Sequence, residues 1–158
     1  ALDLVRTFSQ RDGLLVSVGT VLTAEDAHAA IDSGASCLVS PVVGTEVGEV
    51  AAQRDVAWMP GIATPTEAYA AHQAGAPLQK IFPMPGIGAA WVKAIRGPMP
   101  FLNLVPTHGV HENNAASFLK AGAHAVGFVQ SVFDPNDIAE QRWNRIKEKA
   151  ERALASVV

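Results

Sequence analysis

The stretch LLVSVGTVLTAEDAHAAIDSGASCLVSP, residues 14–41, holds one full period of the pattern that organises the chain. Leu14–Val18 is a short apolar run of strand length. Thr23, followed by Ala-Glu-Asp, is a helix start: its hydroxyl can accept an orphan N–H, and acidic residues suit the positive end of a helix. Gly34, inside the small-residue run SGAS, is a helix stop, and Cys37–Ser40 reads as the next strand. A strand, a helix and a second strand in this order form a βα unit, the connection that parallel strands require.

The same period recurs along the chain at a spacing of roughly 20 residues, as expected for repeated βα units. Further candidate strands are Ala57–Met59, Gln79–Phe82, Leu102–Val105 and Ala125–Phe128. Thr64, with Glu67 three positions on and Pro65 at the first helical position, spells a capping box. His111-Glu-Asn-Asn opens another helix, and Gly75 and Gly122 stop helices as Gly34 does. The chain opens with a helix, and residues 138–158 place Ile138, Trp143, Ile146, Ala150 and Leu154 at helical intervals, predicting one closing helix.

Strands this apolar need cover on both sides, which leaves a doubly wound sheet or a (βα)8 TIM-type barrel. The strand ends favour the barrel. Ser17 and Thr20, Ser40 and Pro41, Lys80 and Phe82, Thr107 and His108, and Gln130 and Ser131 all stand where strands finish, and in a barrel such ends converge. No G-x-G-x-x-G follows the first strand. Six candidate strands against the eight of a closed barrel imply that the first two βα units, on the order of 50 residues, are absent from this chain. Residues 1–158 are accordingly expected to form a single barrel domain that is incomplete at its N-terminal side.

Composition narrows the function. At 49% hydrophobic and 17% charged, with a net charge of -3, the chain lacks the basic surplus that marks nucleic-acid partners. No apolar run reaches membrane-span length, Cys37 has no second cysteine to pair with, and the start lacks a secretory pattern. A cytoplasmic protein acting on small molecules is expected.

Within that frame QKIFPMPG, residues 79–86, stands out, because it sets a lysine at a strand end before a Pro and Gly turn. A strand-end lysine ordinarily holds its ammonium in water. Here Ile81 and Phe82 supply apolar walls, and desolvation lowers a lysine pKa until the neutral amine attacks a carbonyl. Cys37, inside an apolar strand, reads as core. His108, His111, Glu112 and His124 match no metal-binding spacing.

The runs VGTVLTAEDAHAAIDSGASCLVSP, WMPGIATPTEAYAAHQAGA, KIFP, WVKAIRGPMP, LVPTHGV and AGAHAVG resemble, in order, the class I aldolases acting on 2-keto-3-deoxy-6-phosphogluconate and 4-hydroxy-2-oxoglutarate. The resemblance implies a lyase that cleaves a 2-keto-3-deoxy or 4-hydroxy-2-oxo acid to pyruvate and an aldehyde, with Lys80 as the Schiff-base residue. It implies no metal or organic cofactor, a small 2-oxo acid as partner, and a homotrimer. Thr20, Pro41 and Phe82 match positions lining the family's substrate site. Thr107 matches the threonine on the substrate carboxylate, Gly109 ends the same P-T-x-G run, and Ser131 matches the phosphate-binding serine.

Three departures accompany the match. The family's general base, a glutamate on its second strand, would lie upstream of Ala1. His108 replaces a glycine that lets backbone approach the ligand, and is itself a candidate substrate-site residue whose imidazole could relay protons or hydrogen-bond a carboxylate, or simply a histidine on the rim. Val129 and Gln130 replace the glycine pair before Ser131, altering the expected phosphate nest. They admit an aldolase for an unphosphorylated acid, or an oligomeric binding or scaffold protein that kept the fold and lost the reaction. A phosphate-sugar isomerase on a related barrel is more distant, since it would need an intact nest and no Lys80.

Overall fold

The computed structural model describes residues 1–157, which divide into two compact units, one ending at Lys80 and one beginning at Ile81. The division falls inside a strand. Val158, the last residue of the expected closing helix, lies outside the described residues.

The first unit runs α1 (Leu2–Ser9), β1 (Ser17–Gly19), α2 (Ala24–Asp32), β2 (Cys37–Ser40), α3 (Thr45–Gln53), β3 (Ala57–Ile62), α4 (Pro65–Gln73) and the start of β4 (Gln79–Ile81). The chain is thus an α/β fold on a parallel sheet. β1 pairs with β2, and β2 with β3, both parallel, with Ser17 beside Cys37 and Cys37 beside Ala57. The order from β1 to β4 is the order of the chain, with no reversal and hence none of the switch points of a doubly wound sheet.

This register sorts the side chains by face. Leu38 and Trp58 lie side by side and are fully buried, and Ser40, two residues on from Leu38, is buried too. Trp58 Nε1 donates to Ser40 Oγ at 3.2 Å, and Gly48 of α3 packs so closely that an added Cβ would lie 2.6 Å from the Trp58 ring. α3 therefore covers this face. The opposite face carries Ser17, Cys37 and Ala57, which are only partly buried or exposed. Burial raises the Cys37 thiol above its ordinary value, against a hydrogen bond with Ser17 that pulls it down, so the thiol is protonated at neutral pH.

The helix signals act as the residues suggest. Thr23 Oγ1 accepts from Asp26 N–H at 3.1 Å, and Gly34, Gly75 and Gly122 have φ of 100°, 85° and 100°, values that favour glycine. At α4, Thr64 Oγ1 accepts from Glu67 N–H at 3.2 Å. Glu67 Oε2 accepts from the N–H groups of both Ala63 and Thr64, at 2.8 and 2.9 Å. Thr64→Ala is expected to cost about 1 kcal/mol and to lower Tm by roughly 2–4 °C in a thermal melt. The bonds to Ala63 and Thr64 also hold the Glu67 carboxyl below its ordinary value.

The second unit takes in Ile81 and continues with α5 (Ala89–Arg96), β5 (Leu104–Pro106), α6 (Ala115–Lys120), α7 (Pro135–Ala139) and α8 (Trp143–Ala155). Residues 111–114 make a turn in which His111 N–H donates to Asn114 Oδ1, and the helix proper begins at Ala115.

Two expectations are corrected here. Residues 125–128 are not a strand. They lie beside β5 through His124 N–H to Leu104 O at 2.9 Å and Gly127 N–H to Pro106 O at 2.8 Å. One segment advances three residues while the other advances two, which breaks the regular ladder. The closing segment is not one helix either: Gln141, at φ 53°, separates α7 from α8. The cause is electrostatic. Asp137, whose side chain is 2% exposed, accepts from Lys149 Nζ at 2.6 Å and Arg142 Nε at 2.8 Å, so both helices fold around one carboxylate. Those cations hold the Asp137 carboxyl below its ordinary value. Ile138, Trp143 and Leu154 of the expected apolar face are exposed.

Candidate active site

Candidate residues occur in both units. In the first, Lys80 is the middle residue of β4, on the opposite face of the strand from Gln79 and Ile81, which are 1% and 0% exposed. Lys80 is half-buried, and loss of water around its ammonium holds its pKa below the ordinary lysine value. That is the state a nucleophilic amine needs.

Thr20 follows β1 and is exposed, with φ 61°. A β-branched residue in the left-handed region carries roughly 1–3 kcal/mol of strain. The ladder brackets it, since Val21 N–H still donates to Val39 O at 3.2 Å. Pro41 follows β2. Gly61 of β3 lies against it so tightly that a Cβ there would run into the Pro41 carbonyl oxygen and lie 2.6 Å from its carbon. The strand end bearing Pro41 is thus set by the missing side chain of Gly61.

In the second unit, Phe82 leads into a cis peptide bond with Pro83. His108 follows β5 and meets Phe82 edge to face, with ring centroids 5.9 Å apart at 84°. His108 Nδ1 accepts from Met84 N–H at 3.3 Å. Thr107 precedes it. The Thr107 Oγ1 is buried without a hydrogen-bond partner among the described residues, and a Cβ on Gly127 would lie 2.9 Å from Thr107 Cγ2. A buried hydroxyl left without a partner is costly, and a ligand oxygen would satisfy it. Gly109 is exposed at φ 73°, a glycine conformation with open space around it.

Ser131 belongs to the same unit. Its hydroxyl is also buried without a partner among the described residues, and it lines a cavity of about 210 Å³ with His111, Glu112, Lys149 and Arg152. Glu112 is bonded to Arg152 at 2.9 Å, and no group of three or more metal-ligating side chains occurs among the described residues. The reading of the residues did not single out Gly61 or Met84. A glycine inside a strand run was the available signal for the first, since such a glycine marks a close backbone approach; a backbone N–H leaves no signal for the second.

Residues 1–149 match the family model described as "Aldolase: KDPG and KHG aldolase". A Rhizobium meliloti protein named "Probable 2-dehydro-3-deoxy-6-phosphogalactonate aldolase" is 38% identical over 124 residues, 78% of this chain and 58% of that protein. The chain thus spans less than two thirds of that relative's length. Among solved structures, one titled "Native KDPGal structure" superposes with a TM-score of 0.87 at 28% identity, covering 98% of this chain and 73% of the other. A KDPG aldolase from Legionella pneumophila, captured with pyruvate as a covalent carbinolamine, superposes with a TM-score of 0.82 at 26% identity, covering 98% and 73%. By the extent of the family match, this chain belongs to the KDPG and KHG aldolase family.

Proposed function

We propose that the protein is a class I aldolase that cleaves a 2-keto-3-deoxy or 4-hydroxy-2-oxo acid to pyruvate and an aldehyde, with Lys80 as its nucleophile. The observation that carries this reading is the desolvated Lys80 amine two residues before Phe82-Pro83, in a chain of this family. The carbinolamine trapped in the Legionella relative supports covalent chemistry of the same kind.

Neutral Lys80 Nζ adds to the C2 ketone, and loss of water leaves an iminium. The C4 hydroxyl gives up its proton as the C3–C4 bond breaks, and the bonding pair moves into the iminium to give an enamine and the aldehyde. Protonation of the enamine at C3 and hydrolysis release pyruvate and restore Lys80. No residue of this chain is assigned as the general base. Thr107 Oγ1 is the donor assigned to the substrate carboxylate, and Thr20, Pro41 and Phe82 are assigned to shaping the pocket.

The same proposal takes the strands as part of a (βα)8 barrel. The unreversed strand order and the sheet face covered by α3 support it. A cytoplasmic homotrimer completes the reading: the exposed Phe133, Trp143 and Leu154 suit a covered surface, and no described helix is long and apolar enough to cross a membrane.

Pyruvate release, followed with a coupled lactate dehydrogenase, tests the proposal on paired phosphorylated and unphosphorylated 2-keto-3-deoxy acids. Turnover of either member supports an aldolase, and the preferred member identifies the substrate class. No pyruvate from any 2-oxo acid, with the chain folded, would leave the scaffold reading standing.

A further inference from the structure

His108 has two contacts that fix its ring, and both fall on the turn that leaves the Lys80 strand. Met84 N–H donates to His108 Nδ1 at 3.3 Å, and the imidazole stands edge to face on Phe82 with centroids 5.9 Å apart. Phe82 is two residues beyond Lys80 in the chain, and Met84 four. The turn is otherwise built of Pro83, Pro85 and Gly86, and Gly88 N–H closes it by donating to Pro85 O at 2.9 Å. Both His108 and Phe82 are exposed, so burial alone does not hold them in place.

A hydrogen bond accepted at Nδ1 also fixes the tautomer. The neutral ring that accepts there carries its proton on Nε2, on the far edge from Met84. We infer that His108 is a positioning residue for the iminium-forming lysine: it ties down the Phe82–Met84 segment that continues the Lys80 strand, and so limits the directions the amine can take. The inference rests on the aldolase reading of Lys80. Reaction rates are sensitive to such placement, since an error of about 1 Å in an attacking group costs up to about 100-fold.

The role separates from a merely structural one through the acceptor atom. Asparagine sets Oδ1 where histidine has Nδ1, two bonds from Cβ, whereas alanine has no acceptor. The experiment compares the wild-type chain with His108→Asn, His108→Ala and, as a control, His124→Ala, an exposed histidine outside these contacts. It has two readouts: hydrogen exchange of the Met84 amide by NMR, and the rate of borohydride-trapped pyruvate adduct at Lys80.

Met84 exchange is expected to quicken several-fold in His108→Ala and to stay near wild type in His108→Asn. Trapping should slow about tenfold in the alanine variant and recover to within about threefold in asparagine. Unchanged Met84 exchange in His108→Ala overturns the clamp, whatever the activity. Altered exchange with unchanged trapping overturns the positioning role and leaves the aldolase reading intact. If the wild type forms no adduct while its Met84 amide is protected, the aldolase reading fails, and the positioning role falls with it although the contact survives.

Discussion

Lys80→Ala is expected to abolish the covalent capture of pyruvate and to reduce aldol cleavage on the order of 10⁶-fold, the scale seen when a covalent nucleophile is removed. Intact-mass spectrometry after incubation with pyruvate and borohydride measures it directly. A wild-type chain that forms and reduces one imine gains about 72 Da, while the variant gains nothing, and peptide mapping assigns the mass to residues 79–86. Adduct on the variant, or on another lysine of the wild type, would move the nucleophile elsewhere.

The same amine carries a pH signature. Desolvation disfavours its charged form in the folded chain, so its pKa lies below the ordinary 10.5. The rate of adduct formation should therefore rise with pH through a midpoint below that value. Stability has the matching sign: between the folded and unfolded pKa values the unfolded chain binds the proton more tightly, so the penalty from Lys80 is full below the folded pKa and vanishes as pH rises past 10.5. Lys80→Met should remove this dependence and raise Tm at neutral pH.

The second large effect is expected from a change that adds no charge. Gly61→Ala places a methyl against backbone, the carbonyl of Pro41, where no side chain can swing aside. β2 and β3 must separate locally, and overpacking of this kind costs about 1–3 kcal/mol or more. A Tm loss of roughly 3–10 °C follows for a chain of this size. Because the clash lands on Pro41, pyruvate capture should fall more than stability alone explains, and measuring both at a temperature well below either Tm separates the two. A variant with wild-type Tm and capture would show that the strands have slack.

Much of this architecture was legible because the signals are local. Thr64, Pro65 and Glu67 lie within one helical turn, so their bonds follow from spacing alone, and Gly34, Gly75 and Gly122 announce positive φ by being glycines. Cys37–Ser40 came out with its boundaries intact. The first strand did not. Leu14 and Leu15 are apolar, but they are 50% and 87% exposed, and the ladder starts at Ser17. Hydrophobicity signals burial, whereas a strand exists only where a neighbour pairs with it.

The misreadings in the second unit have the same origin. Residues 125–128 have strand composition, but their register against β5 slips by a residue, and no pattern within the segment records a partner's spacing. The closing helix breaks because Asp137 gathers Arg142 and Lys149, a choice between polar partners that apolar periodicity does not weigh. Lys80 could be singled out in the sequence because a lysine's chemistry resides in its own side chain and neighbours, and the structure finds its amine desolvated. The Phe82–His108 contact spans 26 residues and was not legible. Nor does a threonine advertise a left-handed backbone, as Thr20 adopts.

The three tryptophans give the protein a built-in optical map. Trp58 is 3% exposed and bonded to Ser40, Trp91 is 8% exposed on α5, and Trp143 is 57% exposed at the start of α8. The intrinsic fluorescence is therefore a sum of blue-shifted emission from one buried indole in each unit and red-shifted emission from Trp143. Iodide in solution reaches Trp143 alone among them, so quenching it away leaves a spectrum that watches the two interiors, while the quenched fraction reports when something comes to cover α8.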